Sequence, residues 1–128
     1  MAQSFRDLLV WQKAMQLALA IYKLSQGFPN EERFGLTSQL RRCAVSIPSN
    51  IAEGQGRLNK GEFINFLGIA RGSNFELQTQ LELARALQFG KPELLEDADA
   101  KACEVGKMLH GLLESLRSPQ DKSHTSSN

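Results

Sequence analysis

The chain has 128 residues, of which 41% are hydrophobic and 23% charged, and its formal net charge is +1. These values are typical of a globular protein with one core, and they exclude a strongly basic nucleic-acid-binding tail as well as an acidic one. The N-terminal sequence MAQSFRDLL has no secretory signal pattern and no stretch approaches eighteen apolar residues, so we expect no membrane span. Cys43 and Cys103 belong to no CxxC pair, and we expect two buried, reduced thiols in a cytoplasmic protein.

Residues 7–26 predict the first helix. Val10 and Leu17 belong to an apolar stripe with steps of four and three, and Trp11 begins a second stripe beside it. Two adjacent stripes require at least two neighbouring elements to cover them. Gly27 is placed as a C-terminal cap, after which the sequence Phe-Pro-Asn turns the chain.

The stretch from Leu36 to Arg57 predicts a second helix that has neighbours on more than one side. Apolar residues at helical spacing form a core-facing stripe, and Val45 and Ala52 extend the apolar surface beyond it. Pro48 lacks the backbone N–H that a helix interior uses, and it costs about 3 kcal/mol in an unbent helix. The helix therefore bends or breaks there, and the apolar spacing favours a bend because it continues through Pro48 without a change of phase.

Two more helices follow. Asn59 and Glu62 have the spacing of a capping pair, and the helix that they open extends to about Phe89, which makes it the longest in the chain. A fourth helix is predicted over about 93–117, where apolar residues recur at the same steps of four and three. The last residues, 118–128, contain no apolar side chain and are predicted to be disordered.

Four amphipathic helices with short connections and no strand pattern predict an all-α protein, an antiparallel up-down-up-down four-helix bundle. In this prediction residues 1–117 form the bundle and 118–128 form a disordered tail. The second helix is apolar or specifically polar around most of its circumference, so one bundle leaves it incompletely covered. We therefore expect self-association.

Polar residues of the second and third helices predict a hydrogen-bonded network. Those of the second helix recur at helical spacing, and they are Gln, Arg, Ser and Glu rather than interchangeable Lys and Glu, which indicates directional contacts. Such groups fix helix register or the choice of a partner subunit, and a ligand pocket is the alternative. Gly68 and Gly72 cost about 1 kcal/mol each relative to Ala, which close approach of another helix would offset. The predicted network consists of Gln39, Arg42, Ser46, Asn50, Glu53, Ser73 and Glu76.

Five cationic residues predict a basic rim near one end of the second and third helices. Such groups attract nucleic-acid phosphates in a salt-dependent way. The alternative is that Arg42 and Arg71 pair with Glu53 and Glu76 within or between subunits. The rim consists of Arg41, Arg42, Arg57, Lys60 and Arg71.

The sequence predicts no catalytic site, no cofactor and no metal. A di-iron carboxylate bundle needs Glu three residues before His, and neither His110 nor His124 has one. His110 stands alone on a helix and Cys43 lies in a core register, so the spacing builds no nucleophilic triad. Neither GxxxxGK[ST] nor a strand followed by GxGxxG is present for nucleotide binding.

Three stretches resemble the four-helix-bundle proteins encoded within intervening sequences of bacterial 23S ribosomal RNA genes. They are FRDLLVWQKAMQLALAIY, the FP turn before LTSQLRRCAVSIPSNIAEGQGR, and FLGIARGSNFELQTQL, and the match runs from about Phe5 to Leu116. The resemblance implies a cytoplasmic bacterial protein without established enzymatic activity that assembles as a homo-oligomeric ring, a pentamer. The chain is also distantly similar to the accessory protein of diversity-generating retroelements, which works with a reverse transcriptase and nucleic acid.

These observations together predict a non-enzymatic, self-associating four-helix-bundle protein whose basic rim binds RNA or a ribonucleoprotein. The alternative function is a protein-protein interaction scaffold that makes no contact with nucleic acid. The two differ in one measurable property, which is retention on RNA at low salt.

Overall fold

The structure, a computed structural model, describes residues 4–117 of the chain. This range contains α-helices and short 3-10 helices but no β-strand, which confirms the all-α prediction with four α-helices. The predicted disordered tail lies outside the described residues. The α-helices are α1 (Leu9–Ser25), α2 (Leu36–Gln55), α3 (Lys60–Leu87) and α4 (Pro92–Leu116), and the 3-10 helices are Phe5–Asp7 and Asn30–Glu32.

The four helices pack around a common apolar core. Helix α2 contacts α1 and α3, and α4 contacts the same two helices. Leu17, Leu40, Leu77 and Leu109, one from each helix, are fully buried. Each such side chain stabilises the fold by about 1.5–3 kcal/mol, so the helices depend on one another for stability.

Several predicted boundaries are confirmed and others shift. Asn59 Oδ1 accepts a hydrogen bond from the backbone N–H of Glu62 over 2.8 Å, as the capping pair predicts. Helix α3 ends two residues before Phe89, because Gln88 adopts the left-handed conformation with φ 59°. Helix α1 begins at Leu9 because the preceding residues form a 3-10 helix, and α2 runs without a break through Pro48.

Helices α2 and α3 meet along most of their length. The side chains of Ser46 and Ser73 share a hydrogen bond of 2.8 Å near the middle of the contact. Farther along α2, Gly54 lies against Phe66 and Phe63 of α3. Residue numbers therefore rise along α2 as they fall along the facing helix.

A buried amide joins α3 to α4. Asn74 is 1% exposed, and its Nδ2 donates to the carbonyl oxygen of Ala102 over 2.9 Å. Gly106, one turn farther along α4, leaves room for this amide, because a Cβ at that position would lie 3.0 Å from Nδ2. The other amide atom, Oδ1, has no hydrogen-bond partner within residues 4–117. Asn74 thus fixes the register of the two helices at some cost in stability.

The two cysteines differ in exposure. Cys43 is buried, as expected, but Cys103 is exposed, so the expectation of two buried thiols is wrong for Cys103. The core stripe of α4 contains Ala102 and Val105, and one residue along a helix turns the side chain by about 100°, which points position 103 away from the core. None of the helices within the described range has the length and apolar character that crossing a membrane requires.

Candidate functional site

The predicted polar network lies where α2 and α3 meet, and three of its members are directly linked. Asn50 donates from Nδ2 to the backbone oxygen of Ser46 over 2.8 Å and to the Ser46 hydroxyl over 3.0 Å. The same hydroxyl shares the 2.8 Å hydrogen bond with Ser73. All three residues are half-buried, so this part of the network fixes the contact between the two helices.

The other members of the network are arranged differently. Glu53 pairs with Arg57 one turn farther along, over 2.8 Å. The side chains of Gln39 and Arg42 are exposed on α2 and form no hydrogen bond with a residue in the described range. The polar stripe therefore has a core that is satisfied within the chain and an outer part that is open to other molecules.

Glu76 lies beside the thiol of Cys43. Burial, together with the charge of Glu76 and its hydrogen bond to the thiol, raises the pKa of Cys43 to about 11. The thiolate is the nucleophilic form of cysteine, so Cys43 stays protonated and unreactive near neutral pH. Cys43 therefore serves as a buried core residue and not as a nucleophile.

The five cations of the predicted rim do not lie near one end of α2 and α3. Arg41 and Arg42 are in the second turn of α2, whereas Arg57 and Lys60 flank the connection to α3. Fifteen residues separate Arg42 from Arg57, which is roughly 22 Å at the helical rise. Arg71 lies between these two groups on α3. The expectation of one cluster is wrong because α2 holds its two ends apart.

The alternative, in which Arg42 and Arg71 pair with Glu53 and Glu76, is not found within the described chain. Arg57 pairs with Glu53, and its guanidinium carbon lies 4.7 Å from the centre of the Phe66 ring. Arg71 lies over the ring of Phe75 instead of pairing with Glu76. Four cations have no carboxylate partner among residues 4–117, namely Arg41, Arg42, Lys60 and Arg71.

Sequence reasoning missed a cleft at the start of α2, which we call the cationic cleft. It has a volume of about 710 Å³, and its lining contains three guanidinium groups, two aromatic rings and no carboxylate. Three of its residues come from the end of α1 and the turn before α2, where an exposed Arg-Phe pair was the available signal. The lining residues are Tyr22, Arg33, Phe34, Thr37, Ser38, Arg41, Arg42, Val45 and Ser46.

Arginine side chains cover one face of each aromatic ring in the cationic cleft. Arg41 donates from Nε to the hydroxyl of Ser25 over 2.8 Å, and its guanidinium carbon lies 4.6 Å from the centre of the Tyr22 ring. The guanidinium carbon of Arg33 lies 5.3 Å from the centre of the Phe34 ring. Phe34 is 88% exposed, so the other face of its ring is open to solvent.

A second concavity, which we call the apolar groove, lies between α1 and α2. Its volume is about 330 Å³, and no charged residue lines it. Val45 borders both the apolar groove and the cationic cleft and is 44% exposed. The groove is apolar surface of α2 that neighbouring helices leave uncovered. Its lining residues are Trp11, Met15, Ala18, Val45, Pro48, Ser49 and Ala52.

Two glycines in the first half of α3 face open space. A Cβ at Gly68 or Gly72 would have no atom within 4 Å. No helix of the same chain therefore approaches these positions in the described structure. The predicted close approach of another helix is therefore not made within the chain.

Comparisons with known proteins agree with this architecture. The family model described as 23S rRNA-intervening sequence protein matches residues 6–111. A crystal structure from Bacteroides thetaiotaomicron, of a protein with unknown function from the S23 ribosomal protein family, has a TM-score of 0.76 and 28% sequence identity, and the match covers 83% of this chain and 96% of that one. A search of curated proteins found no match. Because the family model spans most of the chain, this protein belongs to the family of 23S rRNA-intervening sequence proteins.

Proposed function

We propose that this chain is a non-enzymatic protein that self-associates, and that another copy of the chain covers the apolar groove. The observation that carries the proposal is the groove itself, which has no charged lining residue and leaves Val45 44% exposed. An apolar surface rimmed by polar residues is typical of a protein contact. The side chain of Gln39, which has no hydrogen-bond partner within the described range, lies on the same helix and supplies a directional contact beside it.

The proposed protomer is an antiparallel up-down-up-down bundle, supported by the falling residue numbers of α3 opposite the rising numbers of α2. Copies of it form a homo-oligomeric ring in the cytoplasm, and the resemblance to the family favours a pentamer. A ring with more than two members needs a heterologous contact, in which different surfaces of neighbouring copies meet. The outer face of α3 suits the second surface, because Gly68 and Gly72 let a helix approach closely.

Substitution of Val45 tests this assembly. Val45→Glu places a charge in the apolar groove without entering the core, so we expect the oligomer to dissociate while the helical content is retained. Leu58→Glu is the matched control, because Leu58 is fully exposed in the connection between α2 and α3. The measurement is the mass in solution by light scattering at micromolar concentration. A wild-type mass of 14.2 kDa, that of one chain, would overturn the proposal.

A second candidate function is binding of RNA or a ribonucleoprotein through the cations of the predicted basic rim, which lie spread along α2 and α3. The observation that favours it is that Arg41, Arg42, Lys60 and Arg71 lack a carboxylate partner among residues 4–117. Lys60→Glu combined with Arg71→Glu should weaken RNA retention and reduce its dependence on salt, whereas Lys107→Glu on α4 is the control. If the wild-type protein is not retained on RNA at low salt, the scaffold function without nucleic acid replaces this candidate.

A further inference from the structure

We propose that the cationic cleft binds one nucleotide unit of single-stranded RNA, with its base stacked on Phe34 and its phosphate held by the guanidinium groups of Arg33 and Arg42. The proposal deepens the RNA-binding candidate and rests on it, and it adds contacts that the basic rim does not contain. Arg42 belongs to both sets, whereas Arg33 and Phe34 do not belong to the basic rim.

The charge of the cleft favours an anionic occupant. Three arginines line it without any carboxylate, and Arg33 and Arg42 have no ion-pair partner in the described part of the chain. The hydroxyls of Thr37 and Ser38, in the first turn of α2, are further donors on the same wall. A planar guanidinium donates two parallel hydrogen bonds to a phosphate, which suits these residues to phosphate oxygens.

The aromatic rings favour a planar occupant in addition to an anionic one. Phe34 is 88% exposed in a short turn between helices, where it makes no contribution to the core. Its ring has Arg33 on one side and solvent on the other. An exposed ring that is held by a cation and flanked by further cations is the arrangement with which proteins bind single-stranded nucleic acid, where bases stack and phosphates pair.

The size of the cleft is compatible with a nucleotide. Its volume of about 710 Å³ lies within the range of about 300–1,000 Å³ that small-molecule sites occupy. Nucleotides also combine the two chemical groups that the lining residues recognise, a planar base and a phosphate.

An acidic segment from a second copy is the competing occupant, and the structure disfavours it. The acidic start of α4 is the richest source of carboxylates, but several are already paired within the chain. Glu96 and Asp99 contact Arg85, and Asp97 contacts Lys101 over 2.7 Å. If these carboxylates bound in the cleft of another copy, their ion pairs within the chain would break. A carboxylate would also leave the open face of the Phe34 ring uncovered.

The test measures fluorescence anisotropy of labelled oligouridylate of about ten nucleotides, at about 50 mM and about 200 mM salt. Phe34→Ala removes the stacking ring without changing charge, so binding should weaken about fivefold or more at both salt concentrations. Arg33→Gln should weaken binding and lower the salt slope by about 1. Leu58→Ala and Lys107→Gln are matched exposed controls and should bind as the wild type does.

Several outcomes would overturn the proposal. Wild-type affinity in Phe34→Ala means that the contact is purely ionic, and equal competition by polyglutamate and by unlabelled RNA means that the cleft takes acidic protein segments. If only the Lys60→Glu, Arg71→Glu double variant loses binding, the basic rim binds RNA and the cleft does not. If only Phe34→Ala and Arg33→Gln weaken binding, the cleft binds RNA and the rim does not. Uridine monophosphate that competes in the wild type but not in Phe34→Ala identifies a site for free nucleotides as well. Absence of RNA binding by the wild type removes both ideas.

Discussion

Two glycines on facing helices should respond oppositely to the same substitution. Gly54 is buried where α2 meets α3, and a Cβ there would lie 2.7 Å from Phe66 Cβ and 3.1 Å from Phe63 Cδ1. The first atom is fixed close to the backbone of α3, so the helices must move apart. At Gly72, on the outer side of α3, a Cβ would meet no atom within 4 Å.

The structure sets the expected size of the difference. Alanine is more favourable than glycine in a helix interior by about 1 kcal/mol, and Gly72→Ala should gain about that amount in the dissociated chain, where no second copy packs on α3. At Gly54 the same gain opposes an overpacking cost of about 1–3 kcal/mol, so Gly54→Ala should range from neutral to about 2 kcal/mol destabilised. The two variants should therefore differ in free energy of unfolding by about 1–3 kcal/mol, with Gly72→Ala the more stable.

Urea unfolding followed by circular dichroism measures this difference. The urea concentration at the midpoint of unfolding should shift. The slope of the free energy of unfolding against urea concentration should stay constant, because neither substitution alters by much the surface that unfolding exposes. Self-association makes apparent stability depend on concentration, so all variants must be compared at one protein concentration and again at a lower one. A Gly54→Ala protein that equals or exceeds Gly72→Ala in stability would refute the reasoning.

Two further predictions concern buried polar groups. A Cβ at position 106 would lie 3.0 Å from Asn74 Nδ2, so Gly106→Ala should destabilise the protein less when Asn74 is also replaced by Ala. Urea unfolding of the two single variants and the double variant should give a coupling energy of about 0.5–3 kcal/mol. Additive effects on the free energy of unfolding would contradict this prediction. The raised pKa of Cys43, about 11, means that the stability associated with its protonated thiol is complete below the ordinary thiol pKa of about 8.5 and is lost as pH rises to about 11. Cys43→Ala should therefore lose less stability over that pH range, and an equal loss in both proteins would contradict the prediction.

Much of the fold was predictable because helical periodicity is a local property of the sequence. The spacing of Leu36, Leu40 and Ile47 predicts one buried face of α2, and all three are buried. The capping pair of Asn59 and Glu62 was predictable for the same reason, since both residues belong to one turn. Each of these features depends on the geometry of a single helix.

The candidate site was predictable only in part. Ser46 and Ser73 were identified as members of a polar network, but their direct hydrogen bond depends on how α2 and α3 align. The five cations looked like one cluster because sequence distance does not show that a helix separates its two ends. Cys103 was expected to be buried, but the apolar stripe of α4, which contains Ala102 and Val105, does not include position 103.

The sequence by itself determined where the helices lie and which stripe of each faces inward, because the backbone repeats every 3.6 residues whatever surrounds it. Only the tertiary structure decided that Gly54 is enclosed while Gly72 is open, and that Tyr22 and Arg42 line one cleft. Those relations join residues on different helices, and the packing of side chains between the helices fixes them.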